Sequence, residues 1–218
     1  MIRVYYADVS PLENDILFNA AIGSLPPQRR KKAESLIKRS ARNLSVGASL
    51  VLMHALNAAG YDAHSLEFAT QKGGKPYIRN ADIHFGITHS GTLAMCAVAD
   101  SVIGIDAEEI TDFNPDICKR FFSKAERKQI FASGDDDKIK DTFFRIWTMK
   151  ESYVKMTGRG LGEFSAFEVM LYPDAHIKGG EICQIKELQL HGYKISLCAQ
   201  QDDDILFERI NIIKPFVL

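Results

Sequence analysis

The chain has 218 residues, 46% of them hydrophobic and 25% charged, a composition that excludes a disordered chain and supplies one large core or two small ones. Its 27 basic and 28 acidic side chains nearly cancel, which excludes the broadly basic surface of a general nucleic-acid binder and confines any cationic site to a local patch. No apolar run reaches the ~18 residues of a membrane span.

The opening run MIRVYYADVS alternates as a strand does and lacks the charged start and apolar stretch of a signal peptide, so a cytoplasmic location is expected. Pro26-Pro27 opens a helical region in which Leu36, Ile37, Leu44, Val46, Leu50, Leu52, Met53 and Leu56 recur near helical spacing until Gly60, with a break near Ser40. A short strand at 66–69 leads through the turn QKGGK to Pro76-Tyr77-Ile78, followed by strands at HFGIT, LAMCAVA and VIGID. Asn114-Pro115 begins a second helical region, and Ser123-Lys124-Ala125-Glu126 matches a capping box. A longer helix is expected over about 138–157, ended by Gly158, Gly160 and Gly162. The β-rich runs 167–171, 182–188, 193–199 and 205–212 return the chain to sheet.

The order strand, helices, strands thus occurs twice, and LAMCAVA has a partial echo in ISLCAQ. The pattern predicts an α+β protein of two similar lobes, 1–100 and 101–218, forming one compact unit with a ligand cleft where they meet. Two complete lobes in one chain lead us to expect a monomer. The four cysteines, Cys96, Cys118, Cys183 and Cys198, contain no CxxC, and three lie in apolar runs, so reduced structural thiols are expected.

The segment VIGIDAEEI places three acids after a short apolar strand. Side chains alternate along a strand, so Asp106 and Glu108 share one side while Glu109 points to the other. Two like charges on one face are tolerated either at a solvated strand end or around a divalent cation. The helix IWTMKESYVKMTG has Ile146, Met149, Tyr153 and Met156 as an apolar core stripe. A second arc combines Trp147, Lys150, Glu151, Val154 and Lys155. That arc reads either as a solvated ion pair of Glu151 with Lys155, worth roughly 0.2–0.5 kcal/mol, or as a face turned toward a site that binds both charge and carbon. The indole and the valine favour the site.

In order along the chain stand Gly74-Lys75-Pro76, Phe85-Gly86-Ile87-Thr88-His89-Ser90, Gly104-Ile105-Asp106-Ala107-Glu108 and Phe121-Phe122-Ser123-Lys124-Ala125-Glu126. Trp147-Thr148-Met149-Lys150-Glu151-Ser152, Lys155 and Gly158-Arg159-Gly160-Leu161 complete the series. Together they resemble the 4′-phosphopantetheinyl transferases of the surfactin-synthetase type, densely over about 73–162. Thr88 stands where serine is common and Ala107 replaces a larger aliphatic, while WTMKES mixes the patterns of two subgroups.

The resemblance implies the transferase fold of two α+β lobes related by pseudo-twofold symmetry, with the ligand between them. It implies Mg²⁺, with Mn²⁺ as a substitute, held by Asp106, Glu108 and Glu151, and coenzyme A as substrate. Lys150 and Lys155 would face its pyrophosphate, and Lys75, Pro76, His89 and Ser90 its nucleotide end. Lys31 and Arg42 are candidates for the 3′-phosphate, against the reading that their basic run is a solvated helix face.

The implied reaction moves phosphopantetheine onto a serine of an acyl or peptidyl carrier protein and releases adenosine 3′,5′-bisphosphate. Glu126 is the candidate general base, against a role confined to capping its helix, with Glu151 or a water on the metal as rivals. Residues 113–117 with Phe121 are candidates for carrier docking, steered by Lys119, Arg120 and Lys124, although the apolar members fit a core equally well. The alternatives are a metal-dependent hydrolase of coenzyme A or a related nucleotide, and a carrier-binding protein without catalysis.

Overall fold

The structure, a computed structural model, describes residues 1–71 and 73–216, and of Leu161 the backbone only. Lys72 of the expected QKGGK turn lies outside the described residues. The chain groups into two compact units: Met1–Ala69 with Pro76–Asp100 and Asp203–Leu218, and Thr70–Lys75 with Ser101–Asp202. The α+β class is as expected.

In the first unit, β1 (Ile2–Asp8) buries Ile2 and Val4, and the helices α1 (Asp15–Gly23), α2 (Pro27–Glu34) and α3 (Arg39–Ala58) follow. α1 was not evident from apolar spacing; Asn14 starts it, its side chain accepting from the amides of Ile16 and Leu17. The helical break falls at 35–38, just before Ser40. A ribbon of β2 (Phe68–Thr70) and β3 (Pro76–Ile78) precedes β4 (His84–Ser90) and β5 (Leu93–Ala99). β5 is antiparallel to both β1 and β4, and α3 covers it with Val51, Leu52, Ala55 and Leu56 in the core.

The second unit runs from β6 (Ile103–Glu109) through α4 (Asp116–Phe121), α5 (Lys124–Ile130) and α6 (Asp136–Thr157). Both halves of the Ser123–Glu126 capping box are present. α6 starts two residues earlier than its apolar pattern because the Asp135 carboxylate accepts from the amides of Asp137 and Lys138; Gly158, at φ +74°, ends it. The ribbon β7 (Glu168–Met170) with β8 (His176–Lys178) follows, then β9 (Gln184–Leu190) and β10 (Tyr193–Ala199). β10 lies antiparallel between β6 and β9, and α6 packs on β6 and β10. The echo LAMCAVA/ISLCA therefore marks, within each unit, the central strand beneath its longest helix.

The expected boundary between 100 and 101 coincides with a division between the units, whereas two other segments fall differently. The final β11 (Ile205–Arg209) pairs parallel with β1, Ile2 opposite Ile205, so the tail belongs to the first unit, and residues 70–75 belong to the second. All four cysteines are free, with Cys96, Cys118 and Cys198 buried. No helix among the described residues is long and apolar enough to cross a membrane.

Candidate active site

The site is built where α6 lies on β6. Alternation puts Gly104, Asp106 and Glu108 on one side of the strand, and that side faces the helix: a β-carbon at Gly104 would run into the carbonyl oxygen of Ser152 and the amide nitrogen of Met156. Small side chains permit the approach. Ser152 Oγ sits 3.3 Å from Ser196 Oγ and 3.2 Å from Cys198 Sγ, while Ser196 stands opposite Asp106 across the β-ladder.

Two residues along β6, the buried Asp106 accepts a hydrogen bond from Lys155 Nζ at 2.5 Å. Burial pulls the Lys155 ammonium down, but Asp106, Glu151 and Glu108 outweigh it and hold its pKa above the ordinary value. Glu151 is pushed up to about 7, first by burial and then by repulsion from Asp106 and Glu108, against which Lys155 acts. Asp106, Glu108 and Glu151 thus act on one another, with one ammonium among them. Glu109 is exposed on the other side of the strand.

Among the described residues no three His, Cys, Asp or Glu side chains are gathered closely enough to form a metal-ligating group. The cation held against Asp106 is that of Lys155. The donor set nevertheless fits a hard divalent ion: three carboxylates from two elements, with Glu151 carried toward neutrality by burial first and by repulsion from Asp106 and Glu108 second.

Two expected site residues lie elsewhere. Lys150 is fully buried rather than turned to a pyrophosphate, its Nζ donating to Glu126 Oε1 at 2.8 Å and to the Phe167 carbonyl at 3.2 Å. Glu126 is equally buried and also accepts from the amides of Val169 and Ser123, so three protein donors hold a carboxylate that solvent does not reach. The shared arc of α6 divides accordingly. Lys150 and Val154 face the interior, Trp147 joins Phe121, Phe122, Phe143 and Phe164, and only Glu151 and Lys155 meet the acids of β6.

Lys75, expected at the nucleotide end, donates instead to the carbonyls of Ile103 (3.1 Å) and Met156 (2.7 Å). The last carbonyls of a helix lack intrahelical donors, and Lys75 supplies one at the end of α6. Burial lowers its pKa to about 8. In the first unit His89 and Ser90 end β4 opposite Ala94 and Leu93, Pro76 begins β3 and Lys31 is exposed on α2. Arg42 lies 5.3 Å from the Phe18 ring centre, and its buried Nε has no hydrogen-bond partner among the described residues.

Of the docking candidates, Phe113 stacks on Phe143 at 3.8 Å and Phe121 meets Trp147, which makes them partners of the second core; Lys119, Arg120 and Lys124 are exposed. The contribution of Gly104 was missed from sequence, although a glycine two positions before an acid on a strand face is a signal for close backbone approach.

A family model described as the 4′-phosphopantetheinyl transferase superfamily matches residues 102–204. A 4′-phosphopantetheinyl transferase of Bacillus subtilis is 35% identical over 191 residues, covering 84% of this chain and 85% of that protein. The 4′-phosphopantetheinyl transferase Sfp of B. subtilis strain 168 is 35% identical over 188 residues, 82% of this chain and 84% of its own. The 4′-phosphopantetheinyl transferase HetI of Nostoc is 35% identical over 121 residues, 52% of this chain and 51% of its own. The protein is an enzyme, a transferase. The chain belongs to the 4′-phosphopantetheinyl transferase family, whose reaction places phosphopantetheine on carrier proteins.

Proposed function

We propose that the donor is coenzyme A, that Mg²⁺ is required, and that Asp106, Glu108 and Glu151 hold it. The observation that carries this reading is the packing of α6 on the acidic side of β6, which brings Lys155 onto Asp106 and sets Glu151 within electrostatic reach of Asp106 and Glu108. When bound, the metal would supply positive charge to the pyrophosphate as its P–O–P bridge breaks and adenosine 3′,5′-bisphosphate leaves, the other phosphate staying with pantetheine on the carrier serine. Lys155, on the same face of α6, adds a second positive charge to that leaving group. With Glu126 enclosed, Glu151 or a water on the metal is left to accept the serine proton. His89, Ser90, Pro76, Lys31 and Arg42 are assigned to the nucleotide end. The enzyme is read as a cytoplasmic monomer that engages neither nucleic acid nor membrane.

Incubation with coenzyme A, Mg²⁺ and an apo carrier should release adenosine 3′,5′-bisphosphate in equal amount to the carrier modified, read by mass spectrometry, and chelation by EDTA should stop both. Nucleotide release without carrier would identify a hydrolase, and a rate indifferent to EDTA would remove the metal. Carrier proteins are acidic, so reversing the charges of the exposed Lys119, Arg120 and Lys124 should raise the carrier KM about tenfold or more at low salt with little change in kcat. An unaltered KM would place docking elsewhere.

A further inference from the structure

Lys150 and Glu126 form a charged pair from which solvent is excluded on both sides, and the phosphoryl-transfer reading uses neither. The partners of the pair are spread over separate segments. Lys150 Nζ, on α6, bonds Glu126 of α5 and the carbonyl of Phe167, and it stands 4.4 Å from the Phe167 ring centre and 5.4 Å from that of Phe164. Glu126 Oε1 also accepts from the Val169 amide of β7 at 2.7 Å, and Oε2 accepts from the Ser123 amide at 2.7 Å. One ammonium and one carboxylate therefore tie α6, α5 and β7 together with directional bonds.

A buried ion pair often stabilises a fold no more than apolar side chains of the same volume would, whereas it specifies geometry more narrowly than they do. Here the specified geometry is the roll of α6. Successive helical residues point about 100° apart, so fixing Lys150 fixes Glu151, the next residue, on the face turned to Asp106 and Glu108. We propose that the Glu126–Lys150 pair is a positioning device that sets the roll of α6 and thereby aims Glu151 at the acids of β6. The inference rests on the metal reading above.

The test uses the full chain. Lys150→Met alone would leave the Glu126 carboxylate buried without its cation and is expected to fold poorly, so the informative variant is Glu126→Gln with Lys150→Met. The double variant should stay folded with a lower Tm, since one glutamine oxygen replaces two carboxylate oxygens that accept from the Val169 and Ser123 amides. Its Mn²⁺ affinity, measured by titration calorimetry without substrate, should fall about tenfold or more, and kcat should drop while the KM for coenzyme A changes less than about twofold.

A purely structural pair would leave Mn²⁺ affinity and kcat unchanged in the folded protein whatever the Tm, overturning the inference. A raised KM for coenzyme A with normal Mn²⁺ binding would overturn it in favour of a phosphate contact. Should the double variant fail to fold, Lys150→Arg decides the matter, because it keeps the charge and displaces the donors: weakened Mn²⁺ binding in a folded protein supports the device, and wild-type binding overturns it. Wild-type protein that binds no Mn²⁺ would overturn the metal reading and this inference together, whereas wild-type binding matched by the double variant overturns only the latter.

Discussion

Glu151→Gln is expected to lower kcat/KM by about 10³ or more and, in metal-free protein at pH 8, to raise Tm. On the proposed metal reading the first effect follows from removing a charged ligand of an ion that would supply several kcal/mol to the transition state, since each ~1.4 kcal/mol is a factor of ten in rate. The second follows from the pKa. Glu151 is raised from an ordinary 4.5 to about 7, so between those values the folded chain holds a proton that the unfolded chain has released. Stability therefore falls as pH rises through that window and stays reduced above it, by on the order of 3 kcal/mol. A neutral glutamine escapes the penalty. Recovery of about 1–3 kcal/mol corresponds to a rise of about 3–10 °C. Mg²⁺ should then reverse the ranking, stabilising the wild type by linkage and leaving the variant unmoved. Below pH 7 the wild-type response to Mg²⁺ should weaken, because the proton on Glu151 competes with the ion. Thermal melts at pH 6 and pH 8, with and without Mg²⁺, check all three; a variant less stable than wild type at pH 8 yet still stabilised by Mg²⁺ would refute the assignment.

The acids of this site were legible because two periodicities meet in it. Strand alternation alone puts Asp106 and Glu108 together and turns Glu109 away, and the ordered motifs couple that strand to the helix bearing Glu151 and Lys155. Lys150 was misread for a physical reason: it adjoins Glu151 on the helical wheel, and what separates them is the position of α5, a tertiary fact with no local signature. Glu126 carried a correct local signal, its capping box, which was silent on the second oxygen that reaches Lys150 and β7. The return of β11 to β1 was hidden similarly, since parallel pairing between the two ends of a chain leaves no turn to recognise. α1 escaped because it is short and buries only Phe18 and Ala21 fully, with Ile22 packed partly against the core.

Gly104→Ala should damage both the fold and the site, because the added β-carbon meets backbone rather than a side chain that can swing aside. Ser152 O and Met156 N belong to α6, and Gly104 itself is held in the ladder opposite Cys198, so only a lifting of the helix from the strand relieves the collision. Intrinsic preference works the other way, since alanine in a strand interior is favoured over glycine by roughly 0.5–1 kcal/mol; overpacking of about 3 kcal/mol decides the sign. The expected net loss of about 2 kcal/mol corresponds to a Tm lower by about 4–8 °C. The same lift carries Glu151 and Lys155 away from Asp106, so Mn²⁺ affinity should fall even in the protein that remains folded. Gly134→Ala is the matched control: nothing lies within 4 Å of its β-carbon position, and the substitution should be neutral or stabilising by up to about 1 kcal/mol. Equal melting temperatures and equal Mn²⁺ binding in the two variants would show that α6 does not depend on a bare strand beneath it.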